Sequence, residues 1–236
     1  MSDGKIELSA RLRMIASFVP EGAVVADIGT DHGFLPIRLL QDGAAARALA
    51  LDVREGPLAA AREHILLAGL SDQIETRLSD GFAALHPGEA DTAVIAGMGG
   101  ALIVRILTEG EETARSMRHL ILSPQSEIDE VRRYLDGAGY EIAREKMLTD
   151  MGKYYLVMDV VPGKASAPLD ETEIRFGREL IRGKDPVFLE YLDREENLCG
   201  TILDALRAAG TDRASARVGE IRGYLALIED ARRRMC

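Results

Sequence analysis

The chain carries its acids and glycines at four successive segment ends. Residues 27–33 read Asp27-Ile28-Gly29-Thr30-Asp31-His32-Gly33, directly after the β-branched run AVVADI. Asp52 closes a second apolar run, 23 residues past Gly29. Ser79-Asp80-Gly81 follows a third and Ile95-Ala96-Gly97-Met98-Gly99-Gly100 a fourth. Glycines at such ends let a ligand approach the backbone closely. An acid about 20 residues beyond the first glycine accepts from ribose hydroxyls, and a short acid such as Asp80 suits an adenine amino group. Two adenosine cofactors compete for this pattern. A dinucleotide needs glycine where this chain has Asp31, because a pyrophosphate sits there on helix amides. A carboxylate beside it is opposed by about 4 kcal/mol per charge pair at 4 Å and effective dielectric 20. S-adenosylmethionine has no phosphate and carries a sulfonium and an ammonium, which Asp27 and Asp31 suit. Asp31 also fits the N-cap of a helix at 33–41. His64, His86 and His119 have no ligand spacing and read as surface or packing residues. Cys199 and Cys236 support neither a disulfide framework nor a cysteine zinc site, and no metal is expected.

Elements able to place these loops on one edge are legible. Strands are expected at 23–28, 46–53, 74–79, 91–96, 118–123, 140–146 and 154–161, and helices near 34–42, 56–69, 100–108 and 127–137. The alternation predicts an α/β fold, a Rossmann-like doubly wound sheet whose loops meet at the carboxyl edge. The last two strands leave no room for a helix, and Asp150, Gly152 and Lys153 predict a hairpin turn. Leu8, Leu12, Ile15 and Val19 share a helical face before the first strand, with Ser9 or Asp3 as cap. Residues 162–170 (PGKASAPLD) read as a linker. Beyond it Phe188, Leu192, Cys199, Ile202, Leu206 and Ala209 keep a three–four spacing broken at Glu195. Ala214, Val218, Ile221, Leu225, Ile228 and Met235 do so with a break at Arg232. Gly210 is placed to end the first helix and Thr211 or Asp212 to cap the second. The expectation is a C-terminal antiparallel helical hairpin (coiled coil), giving domains 1–163 and 164–236.

The strings ADIGTDHGFLP (26–36) and IAGMGG (95–100) together resemble the bacterial tRNA (adenine-22-N1)-methyltransferase family. Leu8-Ser9-Ala10-Arg11-Leu12, Glu55-Gly56-Pro57 and Gly152-Lys153-Tyr154-Tyr155 add to the resemblance. It covers residues 1–161, with the helical tail similar in kind. The resemblance implies an S-adenosyl-L-methionine-dependent enzyme that methylates adenine N1 in tRNA, with a coiled-coil domain engaging the tRNA. Carried over by position, it makes Asp31 catalytic and assigns Arg11, Asp27, Gly29, His32, Asp52, Val53, Asp80, Gly81, Gly97 and Met98 to the cofactor. Two positions depart from the family pattern. Gly33-Phe34 stands where the family more often has Ala-Tyr, and Ser123-Pro124-Gln125 where it has Gln-Pro-Asn. Phe34 keeps a stacking surface for the base. The expected RNA contacts are Arg178, Arg182, Arg232 and Arg233, with Arg175, Lys184 and Arg234 nearby.

Over 236 residues, 39 acids against 29 bases give a net charge of −10, at first sight unfavourable for nucleic acid. RNA contacts depend on local charge, however, and from Ala205 onward seven arginines face four acids. The hydrophobic share of 47% is that of a globular chain. No apolar run approaches the roughly 20 residues that span a bilayer, and the first residues lack a signal-peptide pattern, so a cytoplasmic protein is expected. The competing readings are a methyltransferase for another RNA or a small molecule, a non-catalytic cofactor-binding module, and a nicotinamide oxidoreductase.

Overall fold

In the computed structural model, residues 5–163, 167–209 and 212–236 are described. The apolar runs become strands β1 (Ala23–Ile28), β2 (Ala45–Asp52), β3 (Ile74–Leu78), β4 (Thr92–Ala96), β5 (His119–Ser123), β6 (Tyr140–Asp150) and β7 (Lys153–Pro162). They form one sheet in the order β3-β2-β1-β4-β5-β7-β6. The first five are parallel, and β7 runs antiparallel to both neighbours. Asp150 pairs with Lys153 around Met151 (φ 49°) and Gly152 (φ 75°). Two successive positive φ angles make the tight primed turn that matches strand twist. Both strands outrun their expected lengths, because the edge strand β6 and its neighbour β7 pair with each other up to this turn.

Helices cover both faces. Along β1, Val25 turns to one side and Ala26 and Ile28 to the other, as the two-residue period of a strand requires. Helices α1 (Ala10–Ala16), α2 (Phe34–Gln41) and α3 (Glu55–Leu67) bury Ile15, Leu35, Ile37, Ala61 and Ile65 on the first side. The cap of α1 is Ser9, whose Oγ accepts from Leu12 N at 3.3 Å; Asp3 lies outside the described residues. On the second side lie α4 (Gly100–Glu109), α5 (Glu111–Ser116) and α6 (Ile128–Ala138), with Ile103, Leu107, Val131 and Leu135 buried.

The tail joins that second side. Short helices α7 (Glu171–Phe176) and α8 (Arg178–Arg182) lead into α9 (Pro186–Ala209) and α10 (Asp212–Met235). Gly210 and Thr211, expected to end and cap these helices, lie outside the described residues. Phe176, Leu180, Phe188, Leu192, Ile228 and Met235 belong to the same cluster as the sheet residues. Farther out, Cys199, Leu203 and Ile221 form a separate cluster between α9 and α10. The contacts run antiparallel: Arg232 pairs with Asp193 and Glu196, whereas Val218 and Ile221 meet the Cys199–Leu203 level. The two breaks in the apolar stripe thus have polar partners. Tyr224 Oη donates to Glu195 at 3.0 Å, and Arg232 answers two acids of α9.

A buried ion pair fixes the tail to the sheet. Arg132 of α6 meets Glu145 of β6 at 2.8 Å, with both side chains almost fully enclosed. Arg132 also donates to the carbonyls of Ile174 and Arg175, while Glu145 accepts from Glu179 N. A Cβ at Gly177 would fall 2.3 Å from Glu145 Oε2, so only glycine passes between α7 and α8 here.

Candidate active site at the carboxyl edge

Register puts the loop ends together. Ile28 lies opposite Leu51 and Ile95, Asp52 opposite Leu78, and Ala96 opposite Ser123. The loop after β1 leaves the strand sharply, with Gly29 N and Thr30 N both donating to Leu51 O at 2.7 and 2.8 Å. Gly29 has φ 77°, and a Cβ there would sit 2.1 Å from Met98 Cε. The loop after β4 therefore lies directly against the first. It is tied to the exit of β5 by Gly97 N to Ser123 O, Gln125 N to Met98 O and Gly100 N to Ser126 O.

The acids of the site differ in setting. Asp27 is buried, and burial pushes its carboxyl up to about 6, a shift reinforced by the neighbouring charges of Asp31 and Asp52. Asp52 is buried too, and its Oδ1 accepts from Arg54 N at 2.8 Å, leaving Oδ2 to a ligand hydroxyl. Val53 beside it is exposed. Asp80 forms a forked pair with Arg105 at 2.9 and 3.2 Å; both groups are well exposed, so the pair is weak and easily exchanged. Gly81 at φ 56° packs on Ile106. Asp31 stands clear of the loop, its side chain 85% exposed, with His32 Nε2 at 3.4 Å.

His32 takes a positive φ of 60° that most residues avoid. Its carbonyl lies 2.9 Å from His64 Nδ1. A carbonyl only accepts, so His64 carries its proton on Nδ1 and holds the loop. His32, Phe34 and His64 form a nearly equilateral triangle of rings, with centroids 4.9–5.6 Å apart. Phe34 is therefore a half-buried member of a ring cluster. The sequence reading took His64 as a surface or packing residue, and it packs on the site loop. The available signal was Ala61, three residues earlier on the same helical face, where Gly33 abuts it. Arg105 was also missed, because its pairing with Asp80 spans 25 residues.

Arg11 reaches the site from α1. Its guanidinium lies beside Gly97, with Nη1 3.3 Å from where a Cβ would be, and 5.8 Å above the Tyr155 ring. That Nη1 is buried without a hydrogen-bond partner. A buried donor of a cationic group left without a partner is costly, so it calls for an anionic ligand group. Two buried acids, an orphaned arginine and glycines that admit no side chain fit a zwitterionic adenosyl amino acid: carboxylate to Arg11, ammonium to Asp27, ribose to Asp52 and adenine beside Asp80.

The arginines proposed for RNA fare differently. Arg178 is a correction: it is only 8% exposed and is consumed by Glu173 and by the carbonyls of Ala167 and Pro168. It closes the segment before α7 and presents no cation to RNA. Arg182 is exposed and pairs with Glu179 at 3.1 Å, Arg232 pairs with Asp193 and Glu196, and Arg233 with Asp230.

The fold and the donor set define a methyltransferase of the S-adenosylmethionine-dependent class. A family described as a methyltransferase domain matches residues 8–158. The tRNA (adenine(22)-N(1))-methyltransferase of Bacillus subtilis (strain 168) is 32% identical over 231 residues, covering 96% of this chain and 97% of that protein. The crystal structure of the B. subtilis m1A22 tRNA methyltransferase TrmK superposes with a TM-score of 0.85 at 31% identity, over 96% of this chain and 99% of that one. A Streptococcus pneumoniae protein solved in complex with S-adenosyl-L-methionine gives 0.83 at 33% identity, over 95% and 99%. The chain belongs to the tRNA (adenine(22)-N(1))-methyltransferase family.

Proposed function

We infer that the protein transfers a methyl group from S-adenosyl-L-methionine to N1 of adenine 22 in tRNA. The observation that carries the reading is the exposed Asp31 carboxylate at the same strand edge as the buried acids Asp27 and Asp52 and the unpaired Nη1 of Arg11, charges that complement the cofactor. The cofactor supplies an electrophilic methyl on a sulfonium. Adenine N1 attacks with its own lone pair, so the chain needs no covalent nucleophile and mainly positions the base. The methylated base is cationic until an N6 proton leaves. Asp31 accepts a hydrogen bond from N6 and takes up or balances that charge. His32 and Phe34 give the base an aromatic floor, with His64 holding the loop. An adenine in folded tRNA leaves its stack at a cost of a few kcal/mol, which such a floor offsets.

We assign catalysis to residues 1–163 and help in holding tRNA to 164–236. Because the tail's base shares the core of the sheet, that boundary marks roles rather than separately folding units. Arg182, Arg232 and Arg233 serve RNA only by exchanging their present carboxylate partners. Among the described residues no helix is long and apolar enough to cross a membrane and no metal cluster occurs; a tRNA substrate places the enzyme's work in the cytoplasm. The test is methyl transfer from labelled cofactor to an unmodified tRNA transcript, with the product position mapped. The expected product is N1-methyladenine at position 22. Cofactor binding without label in tRNA would overturn the reading in favour of another acceptor.

A further inference from the structure

Most arginines of the tail are neutralised from within: Arg175, Arg182, Arg232, Arg233 and Arg234 all pair with carboxylates. Lys153 and Arg194 have no such partner among the described residues. What distinguishes them from other unpaired cations, such as Arg222, is their company. They line a groove of about 430 Å3 with Gln125, Tyr154, Tyr155 and Tyr191. The tyrosines come from the β6–β7 hairpin and from α9, so the groove bridges the sheet and the helical tail. Tyr154 and Tyr191 meet edge to face, with centroids 5.3 Å apart and planes at 71°. Arg194 lies 5.5 Å over the Tyr154 ring. All three tyrosines are half-buried, and Lys153 and Arg194 are exposed.

The groove also continues the active site. Gln125 donates its backbone N–H to Met98 O, and its Nε2 is 3.8 Å from where a Gly97 side chain would begin. Tyr155 lies under Arg11, which borders the cofactor loop. Aromatic faces with adjacent lysine and arginine are the makings of a single-stranded nucleic-acid platform, where bases stack and cations hold phosphates. A double helix is too rigid to present an unstacked base here.

Resting on the function inferred above, we propose that this groove is a second RNA subsite: it stacks a nucleotide flanking the target adenine on Tyr154 or Tyr191, and Lys153 and Arg194 hold its phosphate. Extruding the adenine displaces its neighbour in the strand, and the groove gives that neighbour a place to go. The subsite thereby ties base extrusion to the position of the tail.

The test compares full-length wild type with Arg194→Glu, Lys153→Glu, Tyr154→Leu and Tyr154→Phe on a tRNA transcript. A second transcript carries 2-aminopurine next to the target adenine. Removing one stacking ring raises the KM for tRNA about tenfold in Tyr154→Leu, and Tyr154→Phe recovers most of that loss. Each charge reversal raises KM and reduces the salt slope of tRNA binding by about one. Cofactor affinity by calorimetry stays at the wild-type value in Arg194→Glu, whose side chain is exposed and bears no core packing. Wild type quenches the 2-aminopurine, and Tyr154→Leu does so less. Unchanged KM, salt slope and quenching in Arg194→Glu and Tyr154→Leu, while wild type methylates normally, would overturn the subsite alone. Wild type that binds cofactor but leaves tRNA unmethylated would overturn the functional reading, and this inference with it.

Discussion

Asp27 is the residue at which stability and cofactor binding should pull in opposite directions. Its carboxyl is pushed up to about 6 from the ordinary 3.8, chiefly because burial disfavours the charge, with Asp31 and Asp52 adding repulsion. The folded state therefore holds this proton longer than the unfolded chain. Between pH 3.8 and about 6 the group makes the fold less stable as pH rises, and above that range the full penalty is present. A shift of roughly two units corresponds to about 3 kcal/mol. Asp27→Asn removes the charge and keeps a side-chain oxygen toward the Thr30 hydroxyl. We expect a gain of about 2 kcal/mol at pH 8, or about 4–8 °C in Tm for a chain of this size. At pH 5, part-way through that range, the unfolded carboxyl is already ionised, so about half of the gain should remain.

Cofactor binding moves the other way. A cation beside Asp27 favours the carboxylate, so wild-type affinity for S-adenosylmethionine falls as pH drops through about 6, and the Asn variant loses that pH dependence together with most of its affinity. Thermal melts at pH 5 and pH 8 with calorimetric titration of the cofactor measure both halves. A variant less stable than wild type at pH 8, or one stabilised equally at both pH values, would refute the account of a desolvated charge held for a ligand.

Other outcomes follow from the same geometry. Asp31→Ala should keep cofactor affinity, because its side chain is exposed, and lose roughly 10²–10⁴-fold in methyl transfer; equal turnover in single-turnover assays would remove Asp31 from the chemistry. Asp52→Ala should weaken cofactor binding by about 1.5–3 kcal/mol as a ribose hydroxyl loses a charged acceptor, and unchanged calorimetric affinity would make Asp52 structural. Glu145→Ala leaves Arg132 buried without its partner and should cost about 3–5 kcal/mol in denaturant unfolding; a cost below 1 kcal/mol would show the pair to be dispensable. Replacing 200–220 with a short Gly-Ser turn should spare the fold and cofactor binding but lower tRNA affinity in filter binding. Undiminished affinity would mean that the outer tail does not hold RNA.

The strand–helix order was legible because β1, β2 and β4 are short apolar runs that end at glycine or acid, and the carboxyl-edge site followed from it. Asp27, Gly29, Asp52, Gly97 and Met98 meet because consecutive strand ends lie side by side. Arg11 could be placed only by resemblance: it precedes every strand, and nothing local says that α1 folds over the sheet edge. That His64 packs on the site loop in particular was hidden for a related reason, since a ring on a helix gains its role from the loop it reaches. The short helices α7 and α8 were hidden by a glycine between them, which Glu145 requires from 32 residues away.

The arginines show most clearly where composition stops informing. Counting seven arginines against four acids near the C-terminus pointed to RNA, yet Arg232, Arg233 and Arg234 are all engaged by Asp193, Glu196, Asp230 and Asp170. Three of those acids, Asp170, Asp193 and Glu196, lie on other segments, so a window of sequence cannot reveal the neutralisation. A phosphate approaching these arginines has to displace a carboxylate, whereas at the exposed Lys153 and Arg194 it displaces only water. In an acidic protein the useful measure is therefore cations without a partner rather than cations in a row. Here that measure moves the expected RNA contacts from the C-terminal arginines to the neighbouring groove, where Tyr191 and Arg194 of α9 face the β6–β7 turn beside the reaction loop.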